Sequence, residues 1–274
     1  MNKLKNYAGV TLIEMLIGIV ISVIIMAAMF ASYSAINNSY SQVTDKAKAS
    51  QSGRNILAMI MRDTRQAGFR YFEDNITNTD EPIRITFGKG GMNANENSAC
   101  DHLRIVYGDV SYDNNGDEIY ERYRITYFCK DSEIIAPGGG LIPTNAIYKK
   151  KEKLISNAWV SNVSGSYDEQ LITDYIEDLI FIPKDRNGVA INPPPTNDAA
   201  NPNNSKIYDI RAVEISLTTR SVKDFYNTTT KADGSSRTIV DFESDIEEEI
   251  NDLFLRETFV MSVNTRNVGL EWKI

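Results

Sequence analysis

The first thirty residues constrain this chain most, because they combine a short basic leader with an apolar segment of membrane length. Within residues 12–30 the only ionisable side chain is that of Glu14. An α-helix needs about 20 apolar residues to cross the hydrocarbon core of a bilayer. A carboxylate at the centre of such a helix disfavours insertion by roughly 2.5–3.5 kcal/mol, and by less near its end. The pattern therefore predicts a membrane-spanning helix whose acidic side chain needs a partner.

The spacing around Glu14 indicates where that partner could come from. If the chain were cut after Gly9, Val10 would carry a new positive amine four residues before the carboxylate. Residues i and i+4 share one face of a helix, and a first-turn carboxylate also complements the helix dipole. We therefore expect Glu14 to attract the amine of Val10 or of an adjoining chain.

The sequence GVTLIEML at residues 9–16 resembles the cleavage and methylation signal of type IV prepilins and pseudopilins. Two positions depart from that pattern: Val10 stands where Phe is familiar, and Ala31 where many pilins have a helix-kinking proline. The resemblance implies cleavage after Gly9 by a prepilin peptidase and N-methylation of Val10. The alternatives are a plain signal anchor and an ordinary signal peptide, whose apolar region of 7–15 residues would be shorter.

The chain is predicted to contain four segments. These are a cleaved leader (1–9), the transmembrane and assembly half of a long helix (10–35), the amphipathic half of that helix (36–69) and a β-rich periplasmic head (70–274). Apolar residues recur at helical spacing from Ile36 onwards, and Gly68 is a plausible C-terminal cap.

Beyond the helix, the sequence favours strands joined by turns. We expect an α+β, pilin-like fold in which the long helix packs on a mainly antiparallel sheet. Residues 192–205, rich in Pro and Asn, predict a mobile surface loop, and the capping-box sequence 244–247 predicts a short helix. The β-branched and aromatic runs that indicate strands are 83–87, 103–107, 120–128, 175–182, 210–217 and 259–263.

Charge and leader orientation favour a location outside the cytoplasm. The net charge of −8 becomes −10 once a leader with Lys3 and Lys5 is removed. These lysines place the leader in the cytoplasm, which puts the anchor in the inner membrane and the head in the periplasm. An acidic head gives no electrostatic support for nucleic-acid binding. In an oxidising compartment Cys100 and Cys129 favour a disulfide over two reduced thiols.

The residues provide little for catalysis or a cofactor. His102 is the only histidine, and a metal site formed with Cys100 and Cys129 would compete with the disulfide. The side chains of Asp113, Asn115 and Asp117 resemble part of a calcium loop, but Asx-Gly runs between strands are also ordinary hairpin turns. We therefore expect a non-catalytic protein without a cofactor, in which calcium is a weak candidate.

Three further segments resemble PilW-type minor pilins: RQAGF at 65–69, IRAVEISLTTRS at 210–221 and FVMSVNTRN at 259–267. The resemblance implies a structural role in initiating a type IV pilus. Its implied partners are other minor pilins, the major pilin, the prepilin peptidase, the pilus assembly machinery and the inner membrane. A type II secretion pseudopilin, a pilus-tip adhesin that binds through 192–205, and an anchored enzyme are the competing readings.

Overall fold

The computed structural model describes residues 10–69, 84–89, 100–135, 139–196, 201–226, 228–231, 233–240, 242 and 247–268. By its internal contacts the chain divides into two compact units, Met1–Ala47 and Lys48–Ile274. The leader that we predicted at residues 1–9 lies outside the described residues.

One helix, α1, covers Leu12–Gln66 and confirms the predicted long N-terminal helix. In the first unit most of its side chains are exposed, among them Ile36, Tyr40 and Val43. In the second unit the buried positions begin at Gly53 and recur at helical spacing. The helix ends as predicted, because Gly68 adopts a left-handed conformation (φ +72°) that favours glycine.

The second unit is built on antiparallel strands, and each of the six predicted strand runs lies in or overlaps one of them. The sequence did not indicate β4, β5, β8 or β9. The described strands are β1 (Ile85–Gly88), β2 (His102–Tyr112), β3 (Glu118–Asp131), β4 (Asn145–Ile155), β5 (Ala158–Val160), β6 (Tyr167–Lys184), β7 (Ala212–Arg220), β8 (Arg237–Val240), β9 (Glu247–Ile250) and β10 (Arg256–Asn264).

Eight of the described strands form one sheet in the order β1-β2-β3-β4-β6-β7-β10, with β5 added beside β4. Neighbouring strands all pair antiparallel. Because side chains alternate along a strand, the sheet has an inner face against the C-terminal part of α1 and an outer face on the opposite side. A long apolar helix packed on an antiparallel sheet is the predicted fold.

The core lies between the inner face and α1. Ile56, Leu57 and Ile60 of the helix are almost fully buried and belong to the same apolar cluster as Ile125 and Leu217 of the sheet. Fully burying one such side chain stabilises the fold by about 1.5–3 kcal/mol. This cluster therefore holds the helix to the sheet.

The prediction of a short helix from the capping-box sequence 244–247 is wrong for the residues that the structure describes. Glu247–Ile250 is strand β9, which pairs antiparallel with β8 in a separate two-stranded ribbon. The β8 backbone supplies hydrogen-bond partners that a sequence pattern cannot reveal, and these replace the bonds of a helix. Residues 243–246 lie outside the described part of the chain.

The loop predicted at 192–205 has polar anchors in its described residues. The Phe87 N–H of β1 donates to the Pro195 carbonyl at 2.9 Å. The buried Asn203 side chain donates to the Pro193 carbonyl at 2.7 Å. The loop runs into a 3-10 helix, Asn204–Asp209, whose Ile207 is buried in the core, so that hydrogen bonds and apolar burial both hold this end of the loop.

Candidate assembly site at the helix N-terminus

The first turn of α1 is closed by a reciprocal pair of side chains. The Glu14 Oε2 atom accepts a hydrogen bond from the Thr11 N–H at 2.8 Å and another from the Thr11 hydroxyl at 2.9 Å. In return, the Thr11 Oγ1 atom accepts from the Glu14 N–H at 3.3 Å. This is a capping box, which satisfies N–H groups that a helix leaves unpaired at its start.

The capping box is a function of Glu14 that our sequence reasoning missed, although the pattern Thr11-x-x-Glu14 was visible. Among the described residues, the second carboxylate oxygen, Oε1, accepts no hydrogen bond. Val10 precedes the capping threonine and is 72% exposed. The carboxylate can therefore retain its cap and still offer one oxygen to a cation beside the helix start.

The N-terminal part of α1 presents an apolar surface on all sides. Every side chain from residue 12 to residue 41 is exposed, and this segment is dominated by Ile, Val, Leu and Met. By length and composition the helix could cross a membrane. Since such a surface is unfavourable in water, it calls for lipid or for other apolar helices.

Residues 4–30 match the prokaryotic N-terminal methylation motif. The match includes Gly9, Val10 and Glu14, and it supports a type IV pilin-like N-terminus. A type IV-like pilin from Thermus thermophilus is among the solved structures that resemble this chain, at 12% identity and a TM-score of 0.48, over 81% of this chain and 97% of that one. No curated protein sequence matches the chain.

Within the head, the structure confirms the predicted disulfide. Cys100 and Cys129 are bonded, both side chains are fully buried, and their Cα atoms are 5.8 Å apart. The bond joins the residue two positions before β2 to the C-terminal part of β3. It also removes both thiols from the metal site that we considered with His102.

His102 has a packing role in the described structure. It lies opposite Gly88 across the β1–β2 pair, and a Cβ atom added to that glycine would lie 2.0 Å from the imidazole Cε1. The histidine ring therefore occupies the space that the glycine leaves, and any side chain at position 88 would displace it. In the described residues no group of three His, Cys, Asp or Glu side chains is arranged to hold a metal ion.

The structure gives the weak calcium candidate the geometry of a hairpin turn. Asp113 Oδ1 accepts hydrogen bonds from the Asn115 N–H at 2.8 Å and the Asp117 N–H at 2.9 Å. The turn at Asp185, in the sequence DRNGV at 185–189, repeats this pattern, with Asp185 Oδ1 accepting from the Asn187 and Val189 N–H groups. Such Asx turns need no cation.

A buried ionic contact between α1 and the sheet is the feature that sequence reasoning missed in the head. Asp63, 2% exposed, accepts a hydrogen bond from the Tyr127 hydroxyl at 2.6 Å, and its Oδ2 atom lies 2.6 Å from Lys149 Nζ. Burial raises the pKa of Tyr127, and the neighbouring Asp63 carboxylate raises it further. The signal was present in the sequence, because Asp63 falls on the apolar stripe of the helix, three residues after Ile60.

A cavity of about 720 Å³ lies between the outer face of the sheet and the β8–β9 ribbon. Its lining mixes polar and apolar residues, and its two cationic side chains are paired with carboxylates. Lys89 Nζ is 3.2 Å from Asp101, while Arg256 contacts Asp252 at 2.6 Å and Glu177 at 3.2 Å. The cavity is nevertheless acidic overall, because six of its lining residues carry carboxylates and two carry cationic side chains.

Proposed function

We propose that this chain is a minor pilin of the PilW type that takes part in the initiation and assembly of a type IV pilus. The observation that carries the proposal is the methylation motif over residues 4–30, which ends inside an exposed apolar helix. The three PilW-like segments, at 65–69, 210–221 and 259–267, support the assignment to a minor pilin. The function is structural, and the chain acts without a cofactor.

The mechanism begins with proteolysis. The prepilin peptidase cuts after Gly9, and the new amine of Val10 is N-methylated. Until assembly, the apolar part of α1 holds the protein in the inner membrane with the head in the periplasm. The support for this orientation is the pair of lysines, Lys3 and Lys5, in the leader.

Assembly then depends on Glu14. Its Oε1 atom is available beside the cap formed with Thr11, so that it can accept from the amine of Val10 or of an adjoining subunit. Pairing opposite charges offsets the cost of holding a carboxylate in hydrocarbon. Because the pairing groups are fixed on the helix, they set the register in which one helix stacks on the next. Burial of the apolar surface of α1 between neighbouring helices supplies the cohesion.

Two substitutions test the proposal at its two steps. Gly9→Glu should leave a full-length precursor in the membrane, while N-terminal sequencing of the wild-type protein should begin at Val10. Glu14→Ala should be inserted and cut normally but should enter the fibre poorly. Cleavage of the Gly9→Glu chain at the wild-type position, or a mature protein that starts elsewhere, contradicts the processing step.

Deletion of the chain distinguishes a pilus from a secretion system. We expect loss of surface pili with normal export of secreted proteins, measured by electron microscopy and by the protein content of the medium. Loss of export with normal pili would instead identify a type II secretion pseudopilin. Restored piliation by wild-type protein, but not by Glu14→Ala, would tie the phenotype to assembly.

A further inference from the structure

The β8–β9 ribbon carries acidic side chains on its solvent side. Glu247 pairs with Val240 and Glu249 pairs with Thr238, and all four residues are exposed. Since alternate residues of a strand point to the same face, the two carboxylates share one face at a spacing of about 7 Å. Glu248 points to the opposite face, beside Ile239.

Neither carboxylate has a counter-ion within the described structure. The side chains of Glu247 and Glu249 form no hydrogen bond or ion pair with the described residues. The nearest cation in register, Arg237, is engaged elsewhere, since it donates to the Thr230 carbonyl at 3.0 Å and lies over the Tyr226 ring at 3.7 Å. The solvent face of β9 is therefore locally negative.

The outer face of the sheet carries the opposite charge over β2, β3 and β4. Arg104 lies opposite Thr126, and Thr126 lies opposite Lys150, so that these side chains form one row. Arg124 is diagonal to Arg104 on the same face, at a spacing of roughly 7–8 Å. We call Arg104, Arg124 and Lys150 the basic patch.

Within the basic patch, Arg104 is the cation without a direct ion pair among the described residues. Arg124 is paired with Glu152 at 2.7 Å and stacks over the Trp159 ring at 4.7 Å. Lys150 lies 3.5 Å from Glu152 and 3.3 Å from Asp168. The Arg104 side chain forms no hydrogen bond or ion pair with any described residue. Partial burial lowers its pKa, the positive charge of Arg124 lowers it further, and the nearby Glu152 carboxylate opposes both effects.

We propose that the basic patch of one molecule binds the Glu247–Glu249 face of a second copy. Two carboxylates about 7 Å apart match two guanidinium groups at nearly the same spacing. The contact would give the Arg104 side chain a direct ion pair, which it does not form with the described residues of its own chain. Charge-paired interfaces of this kind set partner choice and register. Because the two surfaces differ, the contact joins molecules head to tail. The inference needs neither leader cleavage nor fibre assembly.

The test is self-association of the full-length chain in density-matched detergent, measured by analytical ultracentrifugation. We expect an association constant that falls as salt rises from roughly 0.05 M to about 0.5 M, because salt screens exposed charges. Arg104→Glu should weaken association by about tenfold or more, as should the double variant Glu247→Lys/Glu249→Lys. The charge-swapped triple variant, which combines these changes, should recover it.

Glu248→Lys is the control for position, since it replaces a glutamate by lysine on the same strand but on the other face. It should associate like the wild type. Circular dichroism checks that each variant folds. If Arg104→Glu disturbs folding, Arg104→Gln replaces it in the test, because this variant removes the charge and keeps part of the aliphatic side chain. The proposal is overturned if the wild type does not associate or associates independently of salt. It is also overturned if Glu248→Lys weakens association equally, or if the triple variant does not recover it.

Discussion

At the scale of single residues, the contact between Asp63 and Lys149 most directly links the helix to the sheet. Both side chains are buried, and Tyr127 adds a hydrogen bond to the same carboxylate oxygen. Replacing a whole buried ion pair by apolar residues is often neutral, but removing one partner leaves an isolated buried charge. The pair is therefore costly to break from either side, and it fixes where Asp63 can lie on the sheet.

Removing Asp63 should destabilise the head strongly. Asp63→Ala leaves Lys149 buried without its carboxylate, so we expect a loss of about 3–5 kcal/mol in the free energy of unfolding. Tyr127→Phe removes one hydrogen bond to a charged group and should cost about 1.5–3 kcal/mol. Denaturant unfolding followed by near-ultraviolet circular dichroism measures both values.

Arg62→Ala is the control for this prediction. Arg62 is exposed and lies 3.5 Å from the same carboxylate, and an exposed ion pair contributes only about 0–1 kcal/mol. The double variant Asp63→Leu/Lys149→Met should recover much of the stability lost in Asp63→Ala. Equal effects of Asp63→Ala and Arg62→Ala would contradict a stabilising role for the buried pair.

At the scale of elements, α1 passes close to the sheet at Gly53. A Cβ atom at this position would lie 2.5 Å from the Phe259 ring of β10. In the sequence, this glycine lies in a polar stretch that weakens the apolar stripe, and nothing there shows that the missing side chain makes room for a ring. The glycine allows α1 to approach β10 closely.

Gly53→Ala should destabilise the head although alanine favours helix. The substitution gains about 1 kcal/mol in helix propensity, but the ring of Phe259 must move, and overpacking costs typically 1–3 kcal/mol. In a Phe259→Leu background the same substitution should be neutral or stabilising. Thermal melting of the four chains of this double-mutant cycle gives the coupling between the two sites. Identical effects of Gly53→Ala in both backgrounds would show that the ring and the glycine do not interact.

Charged side chains tie the ends of three strands. Arg256 at the start of β10 contacts Glu177 of β6 and the nearby Asp252, while Arg220 at the end of β7 contacts Glu177 at 3.3 Å. Hydrogen bonds from Arg256 lower the pKa of the Asp252 carboxyl, although partial burial opposes this shift. A carboxyl whose pKa is depressed by folding stabilises the folded state when it is ionised.

The contribution of Asp252 should therefore depend on pH. It is fully present above the unfolded pKa of about 4 and is lost as the pH falls through the lower pKa of the folded state. Because the side chain is about one-third exposed, we expect Asp252→Asn to cost only about 0.5–1 kcal/mol at pH 7. Melting curves at pH 7 and at about pH 3 should show a smaller difference between variant and wild type at the lower pH. A difference that grows on acidification would contradict this sign.

At the scale of the whole molecule, the head is closed by a covalent bond that the sequence predicted correctly. The disulfide joins residues 29 positions apart in the chain. It restricts the unfolded chain, which raises the free energy of unfolding by roughly 3–4 kcal/mol for a loop of this length in the chain-entropy model.

Cys100→Ser/Cys129→Ser should lower the stability of the head by roughly that amount. We expect a lower denaturation midpoint than for the oxidised wild type, and reductant should shift the wild type towards the variant. The variant itself should not respond to reductant, which makes it the internal control. Alkylation followed by mass measurement reports the thiol content of each sample. An unchanged midpoint in the variant would show that the bond adds no stability.

The sequence predicted the local features of this protein well, because those features depend on neighbouring residues along the chain. The length and apolarity of α1 indicated a helix, and its end at Gly68 followed from one residue type. The same local reasoning failed for one capping-box pattern. At Thr11–Glu14 the pattern starts a helix, whereas at residues 244–247 it ends in strand β9. Only the pairing strand β8 distinguishes the two.

What the tertiary structure alone decided involves residues distant in sequence. Strand β4 contains the charged run KKKEK at 149–153, a sequence that does not predict a strand. The strand pairs with β3 on one side and β6 on the other, and Lys149 contacts Asp63. Gly53 acquires its role from Phe259, and Arg104 acquires its neighbours from strands that begin later in the chain. The cost of burying a charge or opening a gap depends on what the fold brings alongside it. A linear sequence pattern does not show those neighbours. The chemistry of the N-terminus, in contrast, depends on consecutive residues and can be predicted from them.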